Sequence, residues 1–220
     1  MTDRILDGLS RIAELGGPVV LVLLAVAIAA LAVVLYKLWQ FAAAGVGRHK
    51  ALRRAIAAWD RGERGAAREE LRASRSYLAP VIDMALTAPD AAESQTRLSA
   101  EAEARFAGLE RGLRFLDIVA QLAPLLGLFG TVLGMIEAFR SLQEAGSQVD
   151  PAILAGGIWV ALLTTAAGLA VAMPVALVLS WFEGRMDAER VLAERAIATI
   201  RAPMGAPRET GPVPAAAIHA

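Results

Sequence analysis

Residues 118–136, IVAQLAPLLGLFGTVLGMI, form an uncharged run that is long enough to cross a bilayer as an α-helix. Small residues recur through this run and just after it at helical spacing: Ala123, Gly127, Gly130, Thr131, Gly134 and Ala138. At about 100° per residue they fall on one face of the helix. Small residues on one face let membrane helices approach closely, or leave room for something between them.

A second uncharged run, residues 151–182, carries the same pattern, and each small residue lies 34 positions after its counterpart. Its members are Gly157, Ala161, Thr164, Thr165, Gly168 and Ala172. Thr131 and Thr165 occupy the same place in the two stripes. Spacing alone leaves helix packing and pore lining as alternatives, and a membrane threonine such as Thr164 can also bond to its own helix.

The composition predicts an all-α membrane protein. Of its 220 residues 56% are hydrophobic, the mean hydropathy is +0.51, and residues 18–36 form a third uncharged run. We therefore expect three transmembrane helices in contact with lipid. The chain has no cysteine and only two histidines, and its net charge is zero without a polybasic run. These features predict no metal site, no cofactor and no binding of nucleic acid.

The charged regions are rich in Ala, Arg, Glu and Leu, which favours long helical extensions outside the membrane. Breaks between helices are expected near the following residues: Gly62, Gly65, Pro80 and Pro89. A helix from about Ala91 to Phe115 is expected to continue without interruption into the second span. The last helix is expected to end near Arg201, before a proline-containing tail.

The strings APLLGLFGTVLGM at 123–135 and ALLTTAAGLAVAMP at 161–174 resemble the two core helices of the ExbB/TolQ/MotA family of ion-channel subunits. The resemblance extends over residues 113–182. MotA-type members have four spans, so three spans favour the ExbB/TolQ branch.

The resemblance implies a homo-oligomeric ring, a pentamer, in the bacterial inner membrane, around two copies of a single-span ExbD/TolR-like partner whose membrane aspartate carries the ion. Ion flow would then act on the outer membrane through a TonB- or TolA-like protein. Such a subunit is not an enzyme. The resemblance leaves open an ExbB-like or a TolQ-like role and favours H⁺ over Na⁺. The residues that it implies as pore-lining are Thr131, Thr165, Thr164, Gly127, Gly130, Gly134, Ala161 and Gly168.

One position departs from the family pattern. Family members commonly have a glutamate five residues before the second threonine, and this chain has Val160 there. Uncharged runs in both core helices predict that the partner provides the ion-carrying acid. The alternative is a membrane scaffold ring that holds a single-span partner without conducting.

Basic residues set the expected orientation, because cytoplasmic segments carry an excess of Lys and Arg. Residues 37–117 contain 14 Lys and Arg, whereas residues 140–150 contain only Arg140. The N-terminus is therefore expected in the periplasm and the C-terminus in the cytoplasm. The expected organisation is a periplasmic segment 1–17, transmembrane helix 18–38, cytoplasmic helical region 39–116, transmembrane helix 117–139, periplasmic hairpin 140–150, transmembrane helix 151–182, cytoplasmic helix 183–202 and disordered tail 203–220.

Overall fold

The computed structural model describes residues 2–89, 91–144 and 151–205, with side chains at residues 17–89, 91–144, 151, 152 and 154–205. Within these ranges the chain is helical, which confirms the all-α prediction. The helices are α1 (Thr2–Ala44), α2 (Lys50–Asp60), α3 (Arg64–Arg72), α4 (Ala79–Thr87), α5 (Ala92–Glu110), α6 (Leu113–Glu144) and α7 (Pro151–Arg201). Residues 206–220 of the predicted tail and residues 145–150 of the predicted hairpin lie outside the described residues.

The chain forms two compact units. Of the described residues, 2–40, 110–144 and 151–186 form the membrane unit, and 41–89, 91–109 and 187–205 form the extramembrane unit. The long helices α1 and α7 contribute to both units. Each unit therefore contains segments that are far apart in the sequence.

Three helices are long and apolar enough to cross a membrane, over Gly17–Ala44, Leu113–Glu144 and Leu154–Arg201. Gly17 interrupts α1 with a φ of 67°, a left-handed conformation that glycine adopts readily, and Pro18 follows it. The uncharged part of α7 ends at Phe182, and its charged continuation runs to Arg201.

Within the membrane unit the three helices alternate in direction. Val19 and Leu23 of α1 are buried with Ala123 of α6 and Ala172 of α7. A Cβ atom on Gly112, just before α6, would lie 3.4 Å from the Cε of Lys37 near the other end of α1. The end of α1 is thus beside the start of α6, as expected for helices that cross in opposite directions.

The prediction of one uninterrupted helix from Ala91 into the second span is wrong. Helix α5 ends at Glu110 and α6 begins at Leu113. Gly112 lies in the break with a φ of 96°, which side-chain-bearing residues rarely adopt. The absence of proline was an insufficient signal, because one glycine in a left-handed conformation ends a helix equally well.

The extramembrane unit packs α2 to α5 with the end of α7. Its buried side chains include Leu52, Leu78, Ile82, Leu98 and Phe106. Breaks between helices occur near the predicted residues: around Gly62, just before Gly65 and Pro80, and around Pro89. Gly65 and Pro80 themselves lie within the first turns of α3 and α4. Proline is tolerated in a first turn, where the N–H that it lacks would have no helical partner.

Candidate functional site in the α6–α7 pair

The two small-residue stripes face each other across an antiparallel contact between α6 and α7. We call this contact the α6–α7 seam. Glycine positions show its register, since a Cβ atom on Gly168 would meet Ala123 and Gly127, and one on Gly134 would meet Ala161. At the other end, a Cβ atom on Gly157 would overlap Ala138. The two stripes, which lie 34 residues apart in the sequence, therefore form the two sides of one seam.

Close approach requires glycine at several points in the seam. A Cβ atom on Gly168 would lie 2.5 Å from the carbonyl oxygen of Ala123, and one on Gly127 would lie 2.8 Å from that of Thr164. These neighbours are backbone atoms, so they cannot move aside by a change of rotamer. Such contacts are the means by which membrane helices associate, since lipid supplies no hydrophobic driving force between them.

Thr164 is the polar centre of the seam. It is 2% exposed, and its hydroxyl lies 2.7 Å from the carbonyl oxygen of Ala161 and 3.2 Å from that of Gly127 on α6. Gly130 provides the space, because a Cβ atom there would lie 2.6 Å from the Thr164 hydroxyl oxygen. The single hydroxyl hydrogen of this threonine is thus shared between a carbonyl of its own helix and, at the longer distance, one across the seam.

The paired threonines Thr131 and Thr165 lie at the margin of the seam, and each is half-buried. The Thr131 hydroxyl donates to the carbonyl oxygen of Leu128 at 2.6 Å, and the Thr165 hydroxyl donates to that of Gly127 at 3.3 Å. Their hydrogens are therefore used on neighbouring carbonyls of α6. Their oxygen lone pairs remain able to accept hydrogen bonds from water or from another helix.

The carboxylates of α6 lie towards its two ends. Asp117 accepts a hydrogen bond from the side-chain amide of Gln121 at 2.7 Å, and Glu137 is exposed. Val160, the position at which the sequence resemblance predicts a glutamate, is half-buried on α7. The uncharged runs 118–136 and 151–182 thus place hydroxyls, but no acid, along the middle of the helix pair.

The extramembrane unit contains a buried polar group that sequence reasoning missed. His49 lies with Nε2 2.7 Å from a carboxylate oxygen of Glu189 and with Nδ1 3.0 Å from the hydroxyl oxygen of Ser76. Tyr77 donates its hydroxyl to Glu189 at 3.1 Å, and the N–H of Gly47 donates to it at 3.0 Å. We call this group the His49 cluster. Its members are separated by up to 142 residues in the sequence, so local patterns gave no signal for it.

Burial and hydrogen bonding act on Glu189 in opposite directions. Its removal from water alone would raise the pKa of its carboxyl. Hydrogen bonds from His49, Tyr77 and Gly47, with the charge of the imidazole, outweigh burial, so the pKa of Glu189 lies below its ordinary value of 4.5. Ser76 is 5% exposed, so its contact with His49 serves packing and is closed to a substrate.

Comparison with known proteins gives relatives over parts of this chain. Over 132 residues the chain is 37% identical to an ExbB homolog of Methanothermobacter thermautotrophicus, named a biopolymer transport protein, over 58% of this chain and 46% of that one. Over 63 residues it is 49% identical to the biopolymer transport protein exbB1 of Vibrio cholerae, covering 29% of this chain and 28% of the relative.

A third relative belongs to the other named branch. The Tol-Pal system protein TolQ of Pseudomonas aeruginosa is 40% identical over 79 residues, which cover 36% of this chain and 34% of TolQ. The matched part of this chain thus spans less than half the length of each of these relatives. Residues 63–195, more than half of the chain, match the family described as the MotA/TolQ/ExbB proton channel family. The chain belongs to the MotA/TolQ/ExbB proton channel family.

Proposed function

We propose that this chain is the ring-forming subunit of an inner-membrane proton channel. With a single-span ExbD/TolR-like partner it would convert the proton gradient into mechanical work at the outer membrane, through a TonB- or TolA-like protein. The observation that carries the proposal is the family match over residues 63–195, which include the whole α6–α7 seam. Relatives named for ExbB-type transport and for the Tol-Pal system both support this class of activity.

The structure suggests a division of labour among the residues expected to line the pore. Gly127, Gly130, Ala161, Thr164 and Gly168 are buried in the seam of a single chain. In our proposal these residues fix the distance between α6 and α7. The half-buried members, Thr131, Thr165 and Gly134, would then form the face that each chain presents to the centre of the ring.

Such a face can accept hydrogen bonds but cannot carry a proton by itself. Hydroxyl groups do not titrate near neutral pH, and the middle of the helix pair is uncharged in sequence. Placing an acid in a membrane is costly unless it carries out transport, so a partner's aspartate is the natural carrier. The Thr131 and Thr165 oxygens would hydrogen-bond water or the protonated acid as it passes.

Proton flux in vesicles tests this proposal. The chain would be purified alone and together with a co-expressed single-span protein that carries a membrane aspartate, and each would be reconstituted with a pH-sensitive dye inside. We expect flux only from the complex, and loss of that flux when the partner's aspartate is changed to asparagine. Equal flux from the chain alone would contradict the proposal, because it would require a carrier within this chain.

Val160 favours one alternative, a ring that holds the partner but does not conduct. The glutamate common in the family is replaced there by an aliphatic side chain. Val160→Glu in the reconstituted complex separates the two functions. An increase from no measurable flux to clear flux would support the scaffold, whereas flux in the unaltered complex would exclude it.

A further inference from the structure

The α6–α7 seam has two margins, and α1 packs against one of them. Leu126 of α6 and Ala167 of α7 pack against the buried cluster that includes Leu23 of α1. At about 100° per residue, Leu126 lies about 140° from Thr131, and Ala167 lies about 160° from Thr165. The two threonines are therefore on the other margin, which is turned away from α1. We call it the threonine margin.

Asp117 lies on the threonine margin, near the start of α6. Asp117, Pro124 and Thr131 follow one another at intervals of seven residues, so they fall within about 40° on the helix. All three are half-buried, as expected for residues along one edge of the seam. From Thr131 to Asp117 this edge extends about 21 Å, at a rise of about 1.5 Å per residue. In the orientation expected from the basic residues, it leads from the middle of the membrane towards the cytoplasm.

Pro124 leaves a hydrogen-bond acceptor partway along this edge. Proline has no backbone N–H, so the carbonyl oxygen of Ala120 lacks the donor that it would have in a regular helix. In membrane helices such a carbonyl is commonly satisfied by ordered water or by a neighbouring side chain. Ala120 is half-buried and lies within about 20° of Thr131 on the helix. Water at this oxygen would extend the hydrogen bonds of the threonine hydroxyls towards Asp117.

The carboxylate of Asp117 is held by a neutral group. The side-chain amide of Gln121, one turn later on α6, donates to its Oδ1 at 2.7 Å. In the part of the chain that the structure describes, the Asp117 carboxylate makes no ion pair. Protonation of Asp117 therefore breaks no ion pair, and the amide can still donate to the carbonyl oxygen of the protonated acid. The contact fixes the position of the carboxyl group in both of its protonation states.

We propose that Asp117 accepts the proton at the cytoplasmic end of the pore face and that Gln121 positions its carboxylate, an inference that rests on the proposed channel function. The partner's aspartic acid carries the proton to the threonine margin. Through the intervening water, the O–H bond of that acid breaks and an O–H bond forms on Asp117, which leaves the partner's acid as a carboxylate. Asp117 then releases the proton to cytoplasmic water and becomes a carboxylate again.

Proton flux through the reconstituted complex tests the role of the Asp117 carboxylate. We expect Asp117→Asn to lower the flux about tenfold, which is less than a buried general base contributes because water at the cytoplasmic end replaces it in part. Asp117→Glu keeps a carboxylate and should retain most of the flux. The matched control is Glu137→Gln, an exposed position on the same helix about 120° from Thr131, and it should also change the flux little. Equal flux from Asp117→Asn and the unaltered complex would overturn the proposal.

Rescue by buffer distinguishes a lost proton acceptor from a disturbed structure. A membrane-impermeant buffer can accept protons at the mouth of the pore in place of the missing carboxylate. Raising its concentration should therefore restore the flux of Asp117→Asn, corrected for buffering capacity, and should change that of the unaltered complex little. A loss of flux that buffer does not restore would assign Asp117 a structural role and overturn the proposal.

A double variant tests whether Gln121 acts through Asp117. Gln121→Ala should lower the flux about threefold, the effect expected from loss of one hydrogen bond. Combined with Asp117→Asn it should cause no further loss, because a positioning residue has no effect once the group that it positions is gone. A further loss in the double variant would contradict the positioning role.

The unaltered complex separates this inference from the channel function on which it rests. If the unaltered complex conducts and Asp117→Asn conducts equally, only the role of Asp117 is overturned. If the unaltered complex does not conduct protons, the proposed channel function fails, and the role of Asp117 fails with it.

Discussion

The α6–α7 seam and the His49 cluster each hold together segments that are distant in the sequence, but they do so by different interactions. The seam brings backbones together with glycines and adds the hydroxyl of Thr164. The His49 cluster instead uses a carboxylate, an imidazole and the hydroxyl of Ser76, all buried, together with the hydroxyl of the half-buried Tyr77. In lipid, charged groups are costly and close packing drives association, whereas a water-exposed unit can bury an acid if every polar atom finds a partner. The comparison predicts that the His49 cluster is sensitive to loss of a polar group and that the seam is sensitive to added side-chain volume.

The largest expected effect is loss of the acid at the centre of the His49 cluster. Glu189→Ala should lower the free energy of unfolding of the extramembrane unit by about 3 kcal/mol, because it leaves His49, Tyr77 and the Gly47 N–H without their acceptor. Hydrogen exchange of peptides from α2 and residues 187–201 would measure it in the full protein. Glu194→Ala, an exposed position on the same helix, is the control and should change little. Equal effects of both variants would show that the cluster contributes nothing special.

The next largest loss of stability is expected from overpacking of the seam. Gly168→Ala should lower the free energy of unfolding of the membrane unit by about 2 kcal/mol, since the new methyl group meets the Ala123 carbonyl oxygen. Gly156→Ala is on the same helix, but its Cβ atom would have nothing within 4 Å. Reversible unfolding in detergent compares the two. If Gly168→Ala is as stable as Gly156→Ala, the helices do not approach as closely as the seam requires.

Substitutions of the three threonines should distinguish the residue that packs the helices from the two that act in transport. Thr164→Ala should cost about 1 kcal/mol of stability, because it removes the buried hydroxyl that crosses the seam. Thr131→Ala and Thr165→Ala should leave assembly intact and lower the proton flux of the complex with its partner. Unfolding in detergent and dye-monitored flux measure the two properties on the same samples. Normal flux in both margin variants would reject their proposed place on the pore face.

The smallest expected effect concerns the ionisation of Glu189 in the His49 cluster, which changes the stability of the extramembrane unit only in acid. The pKa of Glu189 is lower in the folded protein than its ordinary value of 4.5, so the carboxylate adds stability above that pH. This contribution is lost as the pH falls through the folded-state pKa. Exchange protection of the extramembrane unit should therefore decline below about pH 4.5, and the decline should be weaker in Glu189→Gln. The same decline in both proteins would assign it to other groups.

The sequence predicted the elements of the fold better than their contacts. Three uncharged runs gave the three long apolar helices, since a bilayer demands such runs, and the end of the last helix at Arg201 was expected. The break at Gly112 was missed because the left-handed conformation of one glycine depends on its surroundings. The sequence pattern indicates Thr131, Thr164 and Thr165 together as candidate site residues. Periodicity alone does not distinguish the buried Thr164 from the other two, which lie at the margin of the seam. That distinction requires the rotation of each helix against its neighbour.

What the sequence determined by itself is local: helix period, the length of apolar runs, and the matching small-residue stripes with their 34-residue offset. These follow from covalent spacing and from the cost of placing charge in lipid. Only the tertiary structure decided that the stripes face each other, that Thr164 bonds across to Gly127, and that His49 meets Glu189. The physical reason is that hydrogen bonds and close contacts act over a few ångströms between atoms, whatever the number of residues between them.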